Sequence, residues 1–280
     1  MTRESREAVL EELTTIQQTL DPDENLRQDG EVLVSELTSQ QFQIRSPDRT
    51  AAACYLVACR LREVPIRVTR IADASTATKA EILDEMRRIA NALALGIPND
   101  DPTVILEKAC RDLGLSTDVE AHAQQVVKLG AEAGVSSGVS PYTYAAAALY
   151  VASSAAGTDL SQADVAEQFD VSTATLRDRR DDLLEAIGSD LFELQFPTAP
   201  PEAVSLVDDL LHHAQTAHWT TGKRHMGVLA GAWLYATEKH QIEASVSELS
   251  TITDVSDSTV RARYEAFVDD IGTPDDSTTA

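Results

Sequence analysis

Three arginines, Arg177, Arg179 and Arg180, stand in the stretch DVSTATLRDRRDDL (170–183) of a chain whose net charge is −23. Two kinds of chemistry suit guanidinium groups in that setting. They can be ion-paired residues on the surface of an acidic helix, or they can face something more negative than the protein itself. The first has a local partner. Arg177 and Asp181 are four residues apart and can pair on a helix for about 0.3–0.5 kcal/mol, with Asp178 and Asp182 completing an acidic surround. The second gains from recurrence. A shift of 84 residues carries Arg177 and Arg179 onto Arg261 and Arg263, whereas a shift of 94 the other way lands on Leu83 and Glu85. Two copies of the pattern present arginines at the start of a helix and one does not.

Other reactive side chains carry less. His212, His213, His218 and His225 lie on one expected helix and its loop, without a cysteine partner, and read as solvated side chains. Cys54, Cys59 and Cys110 form no CxxC pair, so the second pair of zinc ligands is missing. Cys54 and Cys59 fall in an apolar helical window and read as small buried hydrophobes. Trp219 and Trp233 read as packing residues, and Tyr142 and Tyr144, flanking a helix start, as structural ones. No metal and no cofactor are expected. The chain contains no GxxxxGKS/T, GxGxxG, GxSxG or HExxH, and its paired acids are scattered over solvent faces, so no enzymatic activity is expected.

The elements that must hold these residues are helices. Of 280 residues, 43% are hydrophobic but only 5% aromatic, and alanine is concentrated in long helical windows. That composition favours closely packed helices over a sheet. No apolar run approaches the roughly 20 residues that span a bilayer, and the N-terminus MTRESREAVLEELTTI is charged and lacks a signal core. A soluble cytoplasmic protein with no membrane association is expected. Acidic residues number 46 against 23 basic ones, and of the latter only 5 are Lys and 18 are Arg. Such surfaces resemble those of proteins from salt-loving organisms, where a Debye length of about 3 Å near 1 M salt screens self-repulsion. A chain shaped to avoid nucleic acid is the competing reading. The even spread of acid along the sequence favours the first.

The chain repeats itself. The segment from Ala52, AACYLVACRLREVPIRVTRIADASTATKAEILDEMRRIANAL, lands without a gap on AAALYVASSAAGTDLSQADVAEQFDVSTATLRDRRDDLLEAI when shifted by 94 residues. A further shift of 84 lands on GVLAGAWLYATEKHQIEASVSELSTITDVSDSTVRARYEAFVDDI. Each copy reads as an apolar small-residue helix (Ala51 to Arg62; Tyr144 to Ala155; Val228 to Glu238) and a brief helix (Val68 to Ala74; Gln162 to Phe169; Val246 to Ile252). A capped amphipathic helix follows. Thr78 with Glu81 makes a capping box; Ser172 and Ser256 offer N-caps. Short helix, tight turn, longer capped helix is the pattern of a helix-turn-helix. Two further helices precede this trio in copies one and two. In copy three AVSLVDDLLHHAQTAHW supplies one, but DLFELQFPTAPP gives no convincing first helix, and the prolines from Pro197 to Pro201 mark it as a linker. The expected boundaries are 1–98, 99–192 and 202–272, with a disordered tail at 273–280.

Three segments carry a resemblance: RSPDRTAAACYLVACRLREVP (45–65), SGVSPYTYAAAALYVAS (137–153) and LSQADVAEQFDVSTATLRDR (160–179). In that order they resemble the cyclin-like core of archaeal transcription initiation factor B, the relative of eukaryotic transcription factor IIB. The resemblance covers residues 1 to about 190. It implies an all-α fold of tandem cyclin-like five-helix repeats with helix-turn-helix ends, here followed by a third, partial repeat.

The family binds the complex of TATA-binding protein with DNA and reads an adjacent promoter element. Its reading helix corresponds to residues 172–187, and such a helix meets bases through residues near its N-terminus. The resemblance therefore implies DNA contact by Ser172, Thr173, Ala174 and Arg177. Arg179 and Arg180 would be phosphate contacts or helix-surface residues, and Arg261 and Arg263 the counterparts in the third copy. Arg45 matches a family arginine that meets TATA-binding protein. The loop around Pro65 and Arg67 matches the second contact with that partner. Family members also carry an N-terminal zinc ribbon and a linker into the polymerase cleft, whereas this chain starts almost directly at the first cyclin helix. A regulatory role is therefore expected, with RNA polymerase reached only indirectly. Two readings compete with this one: a cyclin-fold interaction adaptor without DNA binding, and a regulator that needs no TATA-binding protein. The latter would need a positive face.

Overall fold

In the computed structural model the described residues are 3–20, 24–158, 160–217 and 225–274. Among them every regular element is a helix. The first copy comprises α1 (Arg3–Leu20), α2 (Glu24–Ser39), α3 (Pro47–Leu61), α4 (Val68–Asp73) and α5 (Lys79–Leu93). The second comprises α6 (Pro102–Asp112), α7 (Thr117–Glu132), α8 (Pro141–Ala155), α9 (Gln162–Gln168) and α10 (Thr173–Ala186). Then come α11 (Gly188–Gln195), α12 (Pro201–Thr216), α13 (His225–Lys239), α14 (Val246–Thr253) and α15 (Asp257–Ile271).

Each copy is built around one central helix. In α3 every residue from Thr50 to Cys59 is buried, and α8 and α13 are buried over comparable runs. A helix enclosed on all sides needs no polar face, and the alanines of these three let their neighbours approach closely. Around α3 pack α1, α2 and α5; around α8 pack α7 and α10; around α13 pack α12 and α15. Backbones approach closely between α13 and α15. A Cβ added at Gly231 would come within 2.6 Å of the Arg263 Cβ and 2.9 Å of the Tyr264 backbone nitrogen, so only glycine fits there.

The structure differs from the sequence reading at the start of copy three. The segment read as a linker without a helix contains most of α11, which stands where the 84-residue shift carries α6. Among the described residues the third copy therefore holds five helices, the first of them short. Ile187 closes α10 and opens α11, with no side-chain cap, so the usual start signal is missing. Tertiary contacts hold the helix instead. Phe192 and Trp233 meet edge to face at 5.6 Å, and the Trp233 indole N–H donates to the Gly188 carbonyl at 3.2 Å. Pro201 falls at the first position of α12, where a missing N–H costs nothing.

The chain divides into two bodies, residues 1–104 and 105–280. In the first, α1–α5 enclose one apolar core from Val9 to Ile89. In the second, copies two and three share a core: Leu183, Leu184, Ile187, Leu191 and Phe192 are continuous with Leu229, Ala230 and Trp233. The three units expected from the repeat thus form two bodies. Residues 275–280 of the tail expected to be disordered lie outside the described residues, as do His218 and Trp219.

Candidate nucleic-acid interface

The two helix-turn-helix units of the second body are set by matching local signals. In copy two, Ser161 and Asp164 form a capping box at α9, Asp164 accepting from the Ser161 N–H at 3.0 Å. Those hydrogen bonds from Ser161 hold the Asp164 carboxyl below its ordinary value. Asp170 turns the chain with φ 49°, and Ser172 caps α10 by accepting from the Thr175 N–H at 3.0 Å. In copy three, Ser245 caps α14, Asp254 turns the chain with φ 51°, and Ser256 accepts from the Thr259 N–H at 3.2 Å. In copy one the capping box of Thr78 and Glu81 opens α5.

The N-terminal turn of α10 is exposed from Ser172 to Thr175, and Arg177 and Asp178 continue it. Leu176, Leu183, Leu184 and Ile187 point inward. Arg177 does not pair with Asp181. Its Nε donates to the Thr173 carbonyl at 3.2 Å, and among the described residues it forms no ion pair. Arg179 pairs with Asp182 at 2.6 Å and stays half-exposed.

Arg180 departs from the sequence reading. It is only 3% exposed. Its Nη2 pairs with Asp181 at 2.6 Å, its Nη1 pairs with Asp254, and it lies 5.9 Å from the centre of the Tyr150 ring. A buried guanidinium held by two carboxylates has no room for a phosphate, so Arg180 leaves the expected DNA-contact set. The signal was in the sequence. Positions 176, 180, 183, 184 and 187 form one inward stripe, and the copies place Met86 and Tyr264 where Arg180 stands.

In α15, Arg261 is exposed and, among the described residues, forms no ion pair. Arg263 is half-buried and lies against Gly227 and Gly231 of α13, and among the described residues its buried Nε has no hydrogen-bond partner. The same register in copy one holds Glu85, 2% exposed, which accepts from the Thr50 hydroxyl at 3.2 Å and pairs with Arg88. Arg88 in turn donates to the Gln43 carbonyl at 3.0 Å and lies over the Phe42 ring. This register serves helix packing in two copies.

The residues that the resemblance matches to contacts with TATA-binding protein lie in the first body. Arg45 is exposed, with its Nη1 3.3 Å from Asp84. Pro65 is half-buried, and half-buried Arg67 is the N-cap residue of α4. Behind that loop Arg60 pairs with Asp100 at 3.3 Å, both side chains about one-seventh exposed at 13% and 14%. Burial raises the Asp100 carboxyl, and Arg60 opposes the shift.

All three cysteines are buried and free; burial pushes the Cys54 thiol up, and the Cys110 thiol up to about 11. His213 is hydrogen-bonded to Asp270 at 2.5 Å. Among the described residues, no group of three or more His, Cys, Asp or Glu is disposed to hold a metal, and no helix is long and apolar enough to cross a membrane.

The profile of the family described as transcription factor TFIIB repeat matches residues 98–186 and 201–270. Those ranges hold α6–α10 and α12–α15, the body in which copies two and three share a core. Among curated proteins, transcription initiation factor IIB 6 of Halobacterium salinarum is 33% identical over 190 residues, covering 66% of this chain and 60% of that protein. Transcription initiation factor IIB 3 of the same organism is 35% identical over 144 residues, 51% and 45%. Transcription initiation factor IIB 1 of Thermococcus kodakarensis is 38% identical over 146 residues, 51% and 48%. The chain thus spans between 45% and 60% of these relatives.

Proposed function

Because the chain belongs to the transcription factor TFIIB repeat family, which is not a family of enzymes, we propose that it acts in transcription initiation by binding TATA-binding protein on promoter DNA. The observation that carries the DNA half is the pair of exposed helix starts. Arg177 in α10 and Arg261 in α15 stand one turn into capped helices of adjacent helix-turn-helix units, with no carboxylate among the described residues holding either. Helix N-termini presented in this way suit the major groove. The family match spans copies two and three, which supports α15 as a reading helix beside α10. Ser172, Thr173 and Ala174 complete the first surface. Arg45, Pro65 and Arg67 remain the proposed contacts with TATA-binding protein.

The electrostatics shape the mechanism. A chain of net charge −23 gains little from counterion release, and log K falls with log salt for whatever phosphate contacts it makes. Most of the affinity then comes from the protein partner, through steric and apolar contacts that salt does not screen. A regulatory part is proposed with the same surface: the chain competes with another factor IIB for one TATA-binding protein–DNA complex.

The test is a gel shift in high KCl with promoter DNA, with and without TATA-binding protein from the same organism, for wild type and Arg177→Ala. The reading expects a supershift that requires the partner and weakens with Arg177→Ala. The absence of any supershift at every salt concentration would sink it. It would favour the adaptor reading, which the pairing of Arg179 with Asp182, the burial of Arg180 and the packing of Arg263 on α13 support.

A further inference from the structure

Asp254 is the left-handed residue that turns α14 into α15, so whatever holds it sets where α15 leaves the body. It is held from copy two. Arg180 of α10 pairs with it, and the Gln162 side-chain amide, at the start of α9, donates to its Oδ2 at 2.9 Å. Gln162 also reaches the Tyr150 hydroxyl of α8 at 3.4 Å, and Arg180 lies beside the Tyr150 ring. Gln162 of α9 and Arg180 of α10, both beside Tyr150 of α8, therefore converge on one carboxylate in the turn of the third copy. Arg180 is one helical turn, about 5 Å along the axis, from Arg177. The anchor of one reading helix thus sits beside the proposed base contact of the other.

We propose that Arg180 is a positioning residue: by clamping Asp254 it fixes α15 relative to α10, so that Arg177 and Arg261 engage a single DNA duplex as one composite surface. This rests on the DNA reading given above. The guanidinium side of this pair is buried while Asp254 stays 42% exposed, and a partly buried pair is screened less than a fully exposed one, so the clamp outlasts surface charge contacts as salt rises. The clamp also explains why an arginine interrupts the apolar stripe of α10, where copies one and three carry Met86 and Tyr264.

The experiment has two arms. Spin labels are placed on Asp178→Cys and Ala262→Cys, both exposed positions, the native cysteines being buried. Without DNA, the wild-type background gives one narrow distance, and Arg180→Met broadens it while helical circular dichroism is retained. Asp254→Asn, at the more exposed partner, serves as the second variant should Arg180→Met not fold. In the gel shift, Arg261→Ala weakens the ternary complex about fivefold or more in wild type and less than twofold in the clamp variant. Arg177→Ala keeps its effect in both. A distance that stays narrow in both clamp variants overturns the proposal, as does an equal cost of Arg261→Ala in both backgrounds. Failure of wild type to bind any DNA complex overturns the DNA reading and the composite surface together. A broadened distance in that case shows that the clamp itself was not at fault.

Discussion

Arg180 in α10 is ion-paired with Asp254, 74 residues further along the chain and two residues before the N-cap of α15. That single contact separates the fates of three neighbouring arginines. Arg177 is exposed without an ion pair, Arg179 is half-exposed and held by Asp182, and Arg180 is buried between two carboxylates. The helical rotation of 100° per residue is enough to send one guanidinium to solvent and another into the joint between copies. It also explains how a chain so acidic keeps cations: several are committed to its own carboxylates.

Arg177→Ala and Arg261→Ala are each expected to weaken the ternary complex by about 1–3 kcal/mol, the range of a base contact. Arg179→Ala should cost less, because Asp182 competes for that side chain. Titrated gel shifts at fixed KCl check all three. An equal loss for Arg179 and Arg177 would remove α10 from base reading and leave it a general anion surface.

Gly231→Ala should destabilise the second body by about 1–3 kcal/mol, because the added methyl meets backbone atoms of Arg263 and Tyr264 that have little freedom to give. The expected result is a fall in Tm of several degrees with helix content unchanged. Gly96, whose Cβ would meet nothing, is the control: Gly96→Ala should leave Tm nearly unchanged.

Arg88→Met leaves Glu85 buried with only the Thr50 hydroxyl as a partner. Stranding a buried carboxylate costs about 3–5 kcal/mol, whereas replacing the pair by apolar residues is often neutral. Denaturant unfolding should therefore show Arg88→Met strongly destabilised and Glu85→Leu with Arg88→Met substantially restored. Comparable losses in the two would place the effect in packing and not in charge.

Tyr144 is buried and donates to the Val127 carbonyl at 2.6 Å; burial pushes its hydroxyl from the ordinary value of 10 up to about 12. Folding favours the neutral form. The stabilisation is whole below pH 10 and is lost as pH rises through about 12. Alkaline unfolding of wild type should show this slope. Tyr144→Phe should lose about 1 kcal/mol at neutral pH for the missing hydrogen bond and unfold with a shallower dependence above pH 10. Parallel curves would mean that Tyr144 is not the group that titrates.

Much of the fold was legible because the relevant signals are local and occur three times. The small-residue helices, the capping box at Thr78 and the caps at Ser172 and Ser256 all stand where the sequence places them. The helix α11 was not legible: it is eight residues long and shares Ile187 with α10. Period and cap are its missing signals, and burial against Trp233 supplies what they do not. Of the site, the exposed starts of α10 and α15 could be read from capping and spacing. The removal of Arg180 was half legible, since its position on the apolar stripe could be counted but its partner could not.

The sequence by itself determined the repeat, the helices, their caps and the residues that begin each proposed reading helix, because each depends on side chains within a few positions of one another. Only the tertiary structure decided that copies two and three share one core, that Arg263 packs on Gly227 and Gly231, and that Arg180 closes on Asp254. Those are choices between partners far apart in the chain. No local period records them, and they are settled by which buried charges and close backbones can be satisfied together.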